Sequence, residues 1–355
     1  MDPGRHQLAV ESERDEMSRV SDARESFDAA LIPGMRDRLA GAYARFRAAE
    51  AEEMKALAPP EVGGTAGAYR QRDCPCCGAG SAGVTPVLRA QGLDLIDCPG
   101  CGLTYSRAIL NEAADVARYA KSTLDPEALL LRGSAPYLEL EIARDRYYLS
   151  RLLEGGVRQG QLLEIGCGTG TLLLEAARLG WQALGVEPSR AATEMARERG
   201  AQVVHGWFPT DLPDASWSFD AVAVLDVLEH FAEPLRFLKD LRARLAPGGR
   251  LLVQVPNWDS LLVRLEGEHS SVVTPGHWSY FTPRTLPALL ARSGFRALSV
   301  ETVVSELDRI MAHPPARIAD WLHRLRPAAS IGTLRAAQLH DLCLGYKLVG
   351  IFAPD

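Results

Sequence analysis

Leu163-Glu164-Ile165-Gly166-Cys167-Gly168-Thr169-Gly170 follows a short apolar stretch and runs directly into Thr171-Leu172-Leu173-Leu174-Glu175-Ala176. The order reads as strand, glycine turn, helix. Glycine at every second position removes the Cβ atoms where a ligand must approach backbone, and it permits the positive φ values such a turn needs. The helix start behind the turn offers N–H groups with no partner inside the helix. Glu187, 17 residues after Gly170, closes a second apolar stretch, Ala183-Leu184-Gly185-Val186. A carboxylate at the end of a second strand is placed to take both hydroxyls of a ribose.

Dinucleotide-binding turns space their glycines G-x-G-x-x-G. Here the spacing is G-x-G-x-G, and Glu164 stands two positions before the first glycine. That acid would repel a pyrophosphate and suits a cationic amino-acid end. On these residues the chain resembles the class I S-adenosylmethionine (SAM) methyltransferases. The resemblance implies that Glu164, Gly166, Cys167, Gly168 and Gly170 hold the methionine part of SAM and that Glu187 holds its ribose. The bland alternative is a strand-turn-helix connection with no ligand, which the downstream elements argue against.

The chain has 355 residues, 47% of them hydrophobic, enough for a large domain and a small one. A net charge of −6 gives no bulk attraction to nucleic acid. Met1-Asp2-Pro3-Gly4-Arg5-His6 leads into polar residues without the apolar core of a signal peptide. No apolar run reaches the roughly 20 residues that span a membrane. The expected compartment is the reducing cytoplasm, where seven cysteines suggest metal ligation before disulfides.

Residues 1–70 read as a helical N-terminal extension. Met35 to Leu57 carries helix formers with Leu39, Tyr43 and Phe46 at helical spacing, ended by Pro59-Pro60 and Gly63-Gly64. The favoured reading packs it on the main domain; a lid or a homodimer contact is the second. Residues 71–110 form a separate small unit. Residues 111–355 begin with a helical stretch to about Leu153, after which strands and helices alternate. Strands are expected at 161–166, 182–187, 202–205, 219–226 and 249–256. Helices are expected near 171–179, 189–199, 233–245 and 283–293. This alternation predicts an α/β fold, a doubly wound and mostly parallel sheet covered on both faces. Phe295 to Thr302 and Tyr346 to Phe352 read as two further strands, making seven, with a mostly helical 303–344 between them. The resemblance implies that the last strand is antiparallel and lies between the fifth and sixth.

Cys74-Pro75-Cys76-Cys77-Gly78 and Cys98-Pro99-Gly100-Cys101-Gly102 are two C-P-x-C-G knuckles. Cys74, Cys77, Cys98 and Cys101 supply four thiolates for one tetrahedral zinc, a zinc ribbon. Cys76 is the spare. Four thiolates leave no open coordination position, so the metal should be structural, and a unit this small takes its folding energy from the ion. Zinc ribbons often bind nucleic acid, which raises a ribosomal RNA methyltransferase as an alternative, but Ala79 to Asp97 holds only Arg89 as a cation, where phosphate binding usually needs a cluster.

In an open parallel sheet, ligands bind beyond the carboxyl ends of the strands, so the glycine turn, Glu187 and Asp226 should converge on one cleft. Asp226-Val227-Leu228-Glu229-His230 is similar to the segment after strand four of small-molecule SAM methyltransferases. The resemblance implies that Asp226 and Leu228 line the cofactor's methionine end. Pro256-Asn257, His277-Trp278-Ser279-Tyr280-Phe281 and Gly294-Phe295 are similar to the zinc-ribbon-bearing bacterial branch, which acts on small molecules and sugars. His205-Gly206-Trp207-Phe208 has no acid directly after Gly206 to bind adenine, and Asp211 reads as too distant. Imidazole titrates near neutral pH, so His277 is the first candidate for general base, with Tyr280 as its hydrogen-bonding partner. His230 is a candidate site-wall residue, and a metal held by Asp226, Glu229 and His230 is a further option. The expectation is SAM-dependent methylation of a hydroxyl on a small polar, glycosyl-like or natural-product acceptor. Sugar C-methylation, an RNA methyltransferase and a non-catalytic binding protein are the alternatives.

Overall fold

The computed structural model describes residues 23–58, 69–120, 125–212, 214, 216–327 and 334–355. Its centre is a seven-stranded sheet, whose strands are labelled in chain order: β1 (Gln161–Ile165), β2 (Gln182–Glu187), β3 (Val203–His205), β4 (Phe219–Leu225), β5 (Leu245–Pro256), β6 (Phe295–Val303) and β7 (Lys347–Pro354). The spatial order is β6-β7-β5-β4-β1-β2-β3. The pairs from β5 through to β3 are parallel. β7 runs antiparallel to both β5 and β6, so the last strand is inserted between the fifth and sixth.

Side chains alternate along a strand, and both faces of this sheet are covered. On β4, Val222 and Val224 point into one core together with Leu163, Ile165, Leu251, Val253 and Phe352. Ala221 and Ala223 point into the other, with Leu162, Leu252 and Ile351. The first core is covered by helices Pro234–Arg242 and Thr285–Arg292 and by the cysteine unit. The second is covered by Ala135–Glu154, Thr171–Arg178 and Arg190–Glu198. This doubly wound arrangement agrees with the sequence expectation.

Helix Met35–Leu57 packs Met35 and Leu39 against Leu131 and Leu140. Arg36 on that helix pairs with Glu306 and Asp308 at 2.5 and 2.8 Å, tying it to the segment after β6. The 303–344 stretch holds helices Leu307–Met311, Pro315–Leu325 and Ala336–Asp341, packed on helix Leu261–Glu266. Pro59-Pro60 and Gly63-Gly64 lie outside the described residues.

In the cysteine unit, strands Leu88–Ala90, Leu93–Asp97 and Thr104–Ser106 form an antiparallel sheet. Its fourth strand comes from far along the chain: Ser279 pairs with Tyr105 and Tyr280 with Thr104. Among the described residues, no helix is long and apolar enough to cross a membrane.

Candidate active site

The turn after β1 is built on positive φ at Gly166 (70°), Gly168 (53°) and Gly170 (76°). Each glycine has its own steric reason. A Cβ at Gly166 would lie 2.5 Å from Val227, and one at Gly168 would lie 2.5 Å from the Arg132 guanidinium. A Cβ at Gly170 would meet Ala201 at 2.9 Å, so this third glycine serves helix packing and not the cleft. Cys167 is buried, with its sulfur seated where a side chain at 185 would otherwise be; a Cβ on Gly185 would be 2.4 Å from it. Burial pushes its thiol pKa up, so it is a packing group whose backbone faces the cleft.

A cleft of about 640 Å³ opens above the carboxyl ends of β1, β2 and β4. Glu164, Gly166, Cys167, Gly168, Glu187, Asp226 and His230 all line it. Glu187 accepts hydrogen bonds from the Gly168 N–H and the Ser189 N–H, both at 2.8 Å, so the second-strand acid is oriented by the glycine turn itself. Glu164 is 4% exposed, and its Oε2 has no partner among the described residues. Burial, then the neighbouring Asp145, push its pKa well above the usual carboxylate range. A buried orphan oxygen of this kind is what a cationic ligand satisfies.

Gly206, Trp207 and Phe208 line the far end of the same cleft. Asp211 is not among the residues that line this cleft. A turn closed by the Asp211 N–H to the Trp207 carbonyl folds the acid back, and its Oδ2 accepts from the Trp207 N–H at 2.7 Å.

Three assignments from the sequence are displaced. Leu228 is fully buried in the core and does not line the cleft; its neighbour Val227 does. Tyr280 is fully buried against Trp258, with ring centroids 5.0 Å apart, and its hydroxyl makes no hydrogen bond among the described residues, so it is not the partner of His277. Asp226 is not available to a metal formed with Glu229 and His230, because Lys347 donates to its Oδ1 at 2.7 Å. Burial alone would raise the Asp226 pKa, but Lys347 outweighs it and holds the carboxyl below its ordinary value. Asp226 sits at φ 54°, a left-handed conformation costing about 1–3 kcal/mol in a non-glycine residue and typical of functional positions.

His230 and His277 are brought together, with rings 4.6 Å apart and nearly perpendicular. Nδ1 of His230 donates to the Gly276 carbonyl at 2.8 Å and Nδ1 of His277 to the Val272 carbonyl at 2.9 Å. In the neutral rings the basic lone pair is therefore on Nε2. Glu229 completes the group: its ligand atoms and those of both histidines lie within 4.8 Å of one another. Both Glu229 oxygens are buried without a partner among the described residues, and burial, then Asp226, raise its pKa to about 8. His230 lines the cleft, and His277 stands behind it.

Sequence reasoning missed a second cavity of about 1070 Å³, beside the first cleft and sharing Tyr137, Glu141, Arg144 and Asp226 with it. Its walls come from helix 35–57 (Arg36, Tyr43, Arg47, Glu50), the ribbon (Ala90, Gln91), the 268–271 loop and the start of β7 (Tyr346, Lys347). The one signal for it was Lys347, a lone cation heading an otherwise apolar strand.

In the ribbon, the Sγ atoms of Cys74 and Cys101 are 3.6 Å apart and those of Cys77 and Cys98 3.3 Å apart. All four lie within 4.8 Å of one another. A tetrahedral zinc with bonds of about 2.3 Å needs sulfurs roughly 3.8 Å apart, so the set fits. The knuckles repeat one pattern: Gly78 N–H to the Cys74 carbonyl at 2.9 Å, and Gly102 N–H to the Cys98 carbonyl at 2.8 Å. Cys76 is buried outside the four.

Residues 138–300 match the family described as "Methyltransferase domain". A ubiquinone biosynthesis O-methyltransferase of Bradyrhizobium diazoefficiens is 34% identical over 174 residues, covering 44% of this chain and 67% of that protein. The chain belongs to the class I SAM-dependent methyltransferases. The C-methyltransferase NovU of Streptomyces niveus is 27% identical over 243 residues, 67% of this chain and 54% of NovU. A ubiquinone biosynthesis O-methyltransferase of Caulobacter sp. is 36% identical over 105 residues, 27% of this chain and 41% of that protein. The chain spans about half the length of the curated relatives it matches. Membership accounts for the acid-glycine turn, and it makes one expectation quantitative. Glu187→Ala should weaken SAM binding by about tenfold or more, the weight of a charged hydrogen-bond pair. Calorimetry returning an unaltered affinity would remove Glu187 from the ribose site.

Proposed function

We propose that this chain transfers a methyl group from SAM to a hydroxyl of a small polar, glycosyl-like or natural-product acceptor, and that zinc fills the ribbon. The observation that carries the reading is the pair of joined cavities. One has the acid-glycine turn and Glu187; the other is lined by ion-paired charges and by Tyr43, Tyr137 and Tyr346. Paired charges and tyrosine rings in one cavity suit a polyhydroxylated molecule.

SAM supplies an electrophilic methyl group when bound; the chain supplies position and a proton acceptor. Glu164 and the glycine turn hold one end of the cleft and Glu187 the middle. The shared wall of Asp226, Glu141 and Arg144 is where the two cavities meet, so an acceptor in the second cavity faces the methionine end. Aligning nucleophile, methyl and leaving sulfur provides much of the rate. The acceptor hydroxyl, reaching from the second cavity into the cleft, passes its proton to Nε2 of His230, with His277 and Glu229 packed behind that ring. His277→Ala should lower turnover by about a hundredfold while SAM still binds. Undiminished turnover would leave His277 as a residue that only positions the 272–277 loop.

The test of the activity is incubation with methyl-labelled SAM and a panel of nucleotide-linked sugars and hydroxylated natural products. The expected result is a labelled O-methyl product; label on carbon would favour the C-methyltransferase reading that the similarity to NovU supports. No label in any acceptor, with SAM bound, would favour a binding protein. A second reading of Glu229, His230 and His277 as a divalent-metal site is favoured by their convergence. Metal analysis separates the two: one ion per chain for the ribbon alone, two if this trio also binds.

A further inference from the structure

We propose that Asp145 is a second carboxylate for the cofactor's α-ammonium group, sharing it with Glu164 at the methionine end of the cleft. The inference rests on the cleft being the SAM site. Asp145 lies on helix Ala135–Glu154, well before the glycine turn in sequence, and no motif marks it. Its side chain is fully buried, yet it lines the cofactor cleft together with Glu164 and Gly166. Its Oδ1 is occupied, accepting from Arg144 Nε at 3.1 Å and Nη2 at 2.9 Å. Its Oδ2 has no hydrogen-bond partner among the described residues, and neither has Oε2 of Glu164.

Two buried carboxylates facing one space repel unless a proton or a cation lies between them. An alkylammonium brings three N–H donors and one positive charge, enough to satisfy both orphan oxygens. The sulfonium cannot do so, having no N–H. The guanidinium of Arg144 holds Asp145 in place while leaving its second oxygen toward the cleft.

The electrostatics agree with a site for a cation. Burial raises the Asp145 pKa to about 6, with Glu141 and Glu175 adding to it and Arg144 opposing. Glu164 is raised by burial, then by Asp145, Glu141 and Glu187, again against Arg144. An arriving ammonium favours the ionised carboxylates, so binding should expel protons.

The test compares S-adenosylhomocysteine with 5′-methylthioadenosine, which shares the adenosine thioether and lacks the amino-acid end. Asp145→Asn keeps the shape and the acceptor for Arg144. It should weaken S-adenosylhomocysteine by about tenfold or more, the loss of one charged hydrogen bond, and leave methylthioadenosine within about twofold. Wild-type protein gives an independent readout through the buffer dependence of the calorimetric enthalpy near pH 6. S-adenosylhomocysteine should release protons and methylthioadenosine should not. Equal weakening of both ligands would make Asp145 a purely structural partner of Arg144. Unchanged S-adenosylhomocysteine affinity, or no proton release from the wild type, would overturn the proposal. Binding of neither ligand to the wild type would remove the cofactor reading first, and this inference with it.

Discussion

Stripping the metal from the reduced chain, or replacing Cys98 with serine, is expected to unfold the ribbon and to destabilise the methyltransferase domain with it. A structural zinc site contributes about 10–16 kcal/mol to folding, as large as the roughly 5–15 kcal/mol total of an ordinary domain. The loss cannot stay local. Cys74, Ile96, Cys98, Leu103 and Tyr105 belong to the same core as Val222, Val253, Phe281 and Leu286. The ribbon sheet also takes its last strand from Ser279–Tyr280, next to His277. Thermal denaturation before and after chelation, with metal analysis alongside, checks this. A metal-free chain that keeps its melting midpoint and its tertiary circular dichroism would show the cysteines to be ordinary thiols.

Arg72→Met should be the most damaging single change away from the cysteines and the cleft, costing about 2–4 kcal/mol by leaving buried carbonyls without donors. Arg72 is 7% exposed and has no carboxylate bonded to it among the described residues; it is a hub of backbone contacts. Its guanidinium donates to the Ser106 carbonyl at 3.1 Å in the ribbon, to the Ala232 carbonyl at 2.9 Å beyond His230, and to the Trp278 carbonyl. It also lies 5.4 Å from the Tyr105 ring centre. Burial lowers its pKa to about 10, so it stays protonated at neutral pH. Methionine fills similar space with no donors. Urea denaturation should show an earlier midpoint with an unchanged slope; an unmoved midpoint would mean that water replaces the guanidinium.

Much of this architecture is legible in the chain because it is local and periodic. The run from Ala221 to Leu225 is apolar on both faces, as suits a strand inside a covered parallel sheet. The acid-glycine turn and the cysteine knuckles have their chemistry within a few consecutive residues. What stayed hidden depends on partners far apart in sequence. Tyr280 shares a short motif with His277, yet strand alternation sends its ring toward Trp258 in the ribbon-side core. Leu228 sits between cleft-lining neighbours, but the short helix Leu228–His230 turns it inward. A single turn brings Asp211 back to Trp207, a closeness that counting residues does not show, although the acid stays outside the cleft lining. Asp145 looks like one polar residue among many on an amphipathic helix, and only the folded helix shows that its Oδ2 is buried with no partner among the described residues.

The closing strand of the ribbon also sets an order of assembly. Tyr105 pairs with Ser279, roughly 170 residues later in the chain. During synthesis at about 5–20 residues per second, the edge at Thr104–Ser106 waits some ten to thirty-five seconds for its neighbour. The knuckles can capture an ion in that interval, because their four ligands are already made. The bare strand edge beside them cannot be covered until five of the seven strands of the methyltransferase sheet have emerged. An early-bound ion would hold this segment compact while the rest of its fold is still being made.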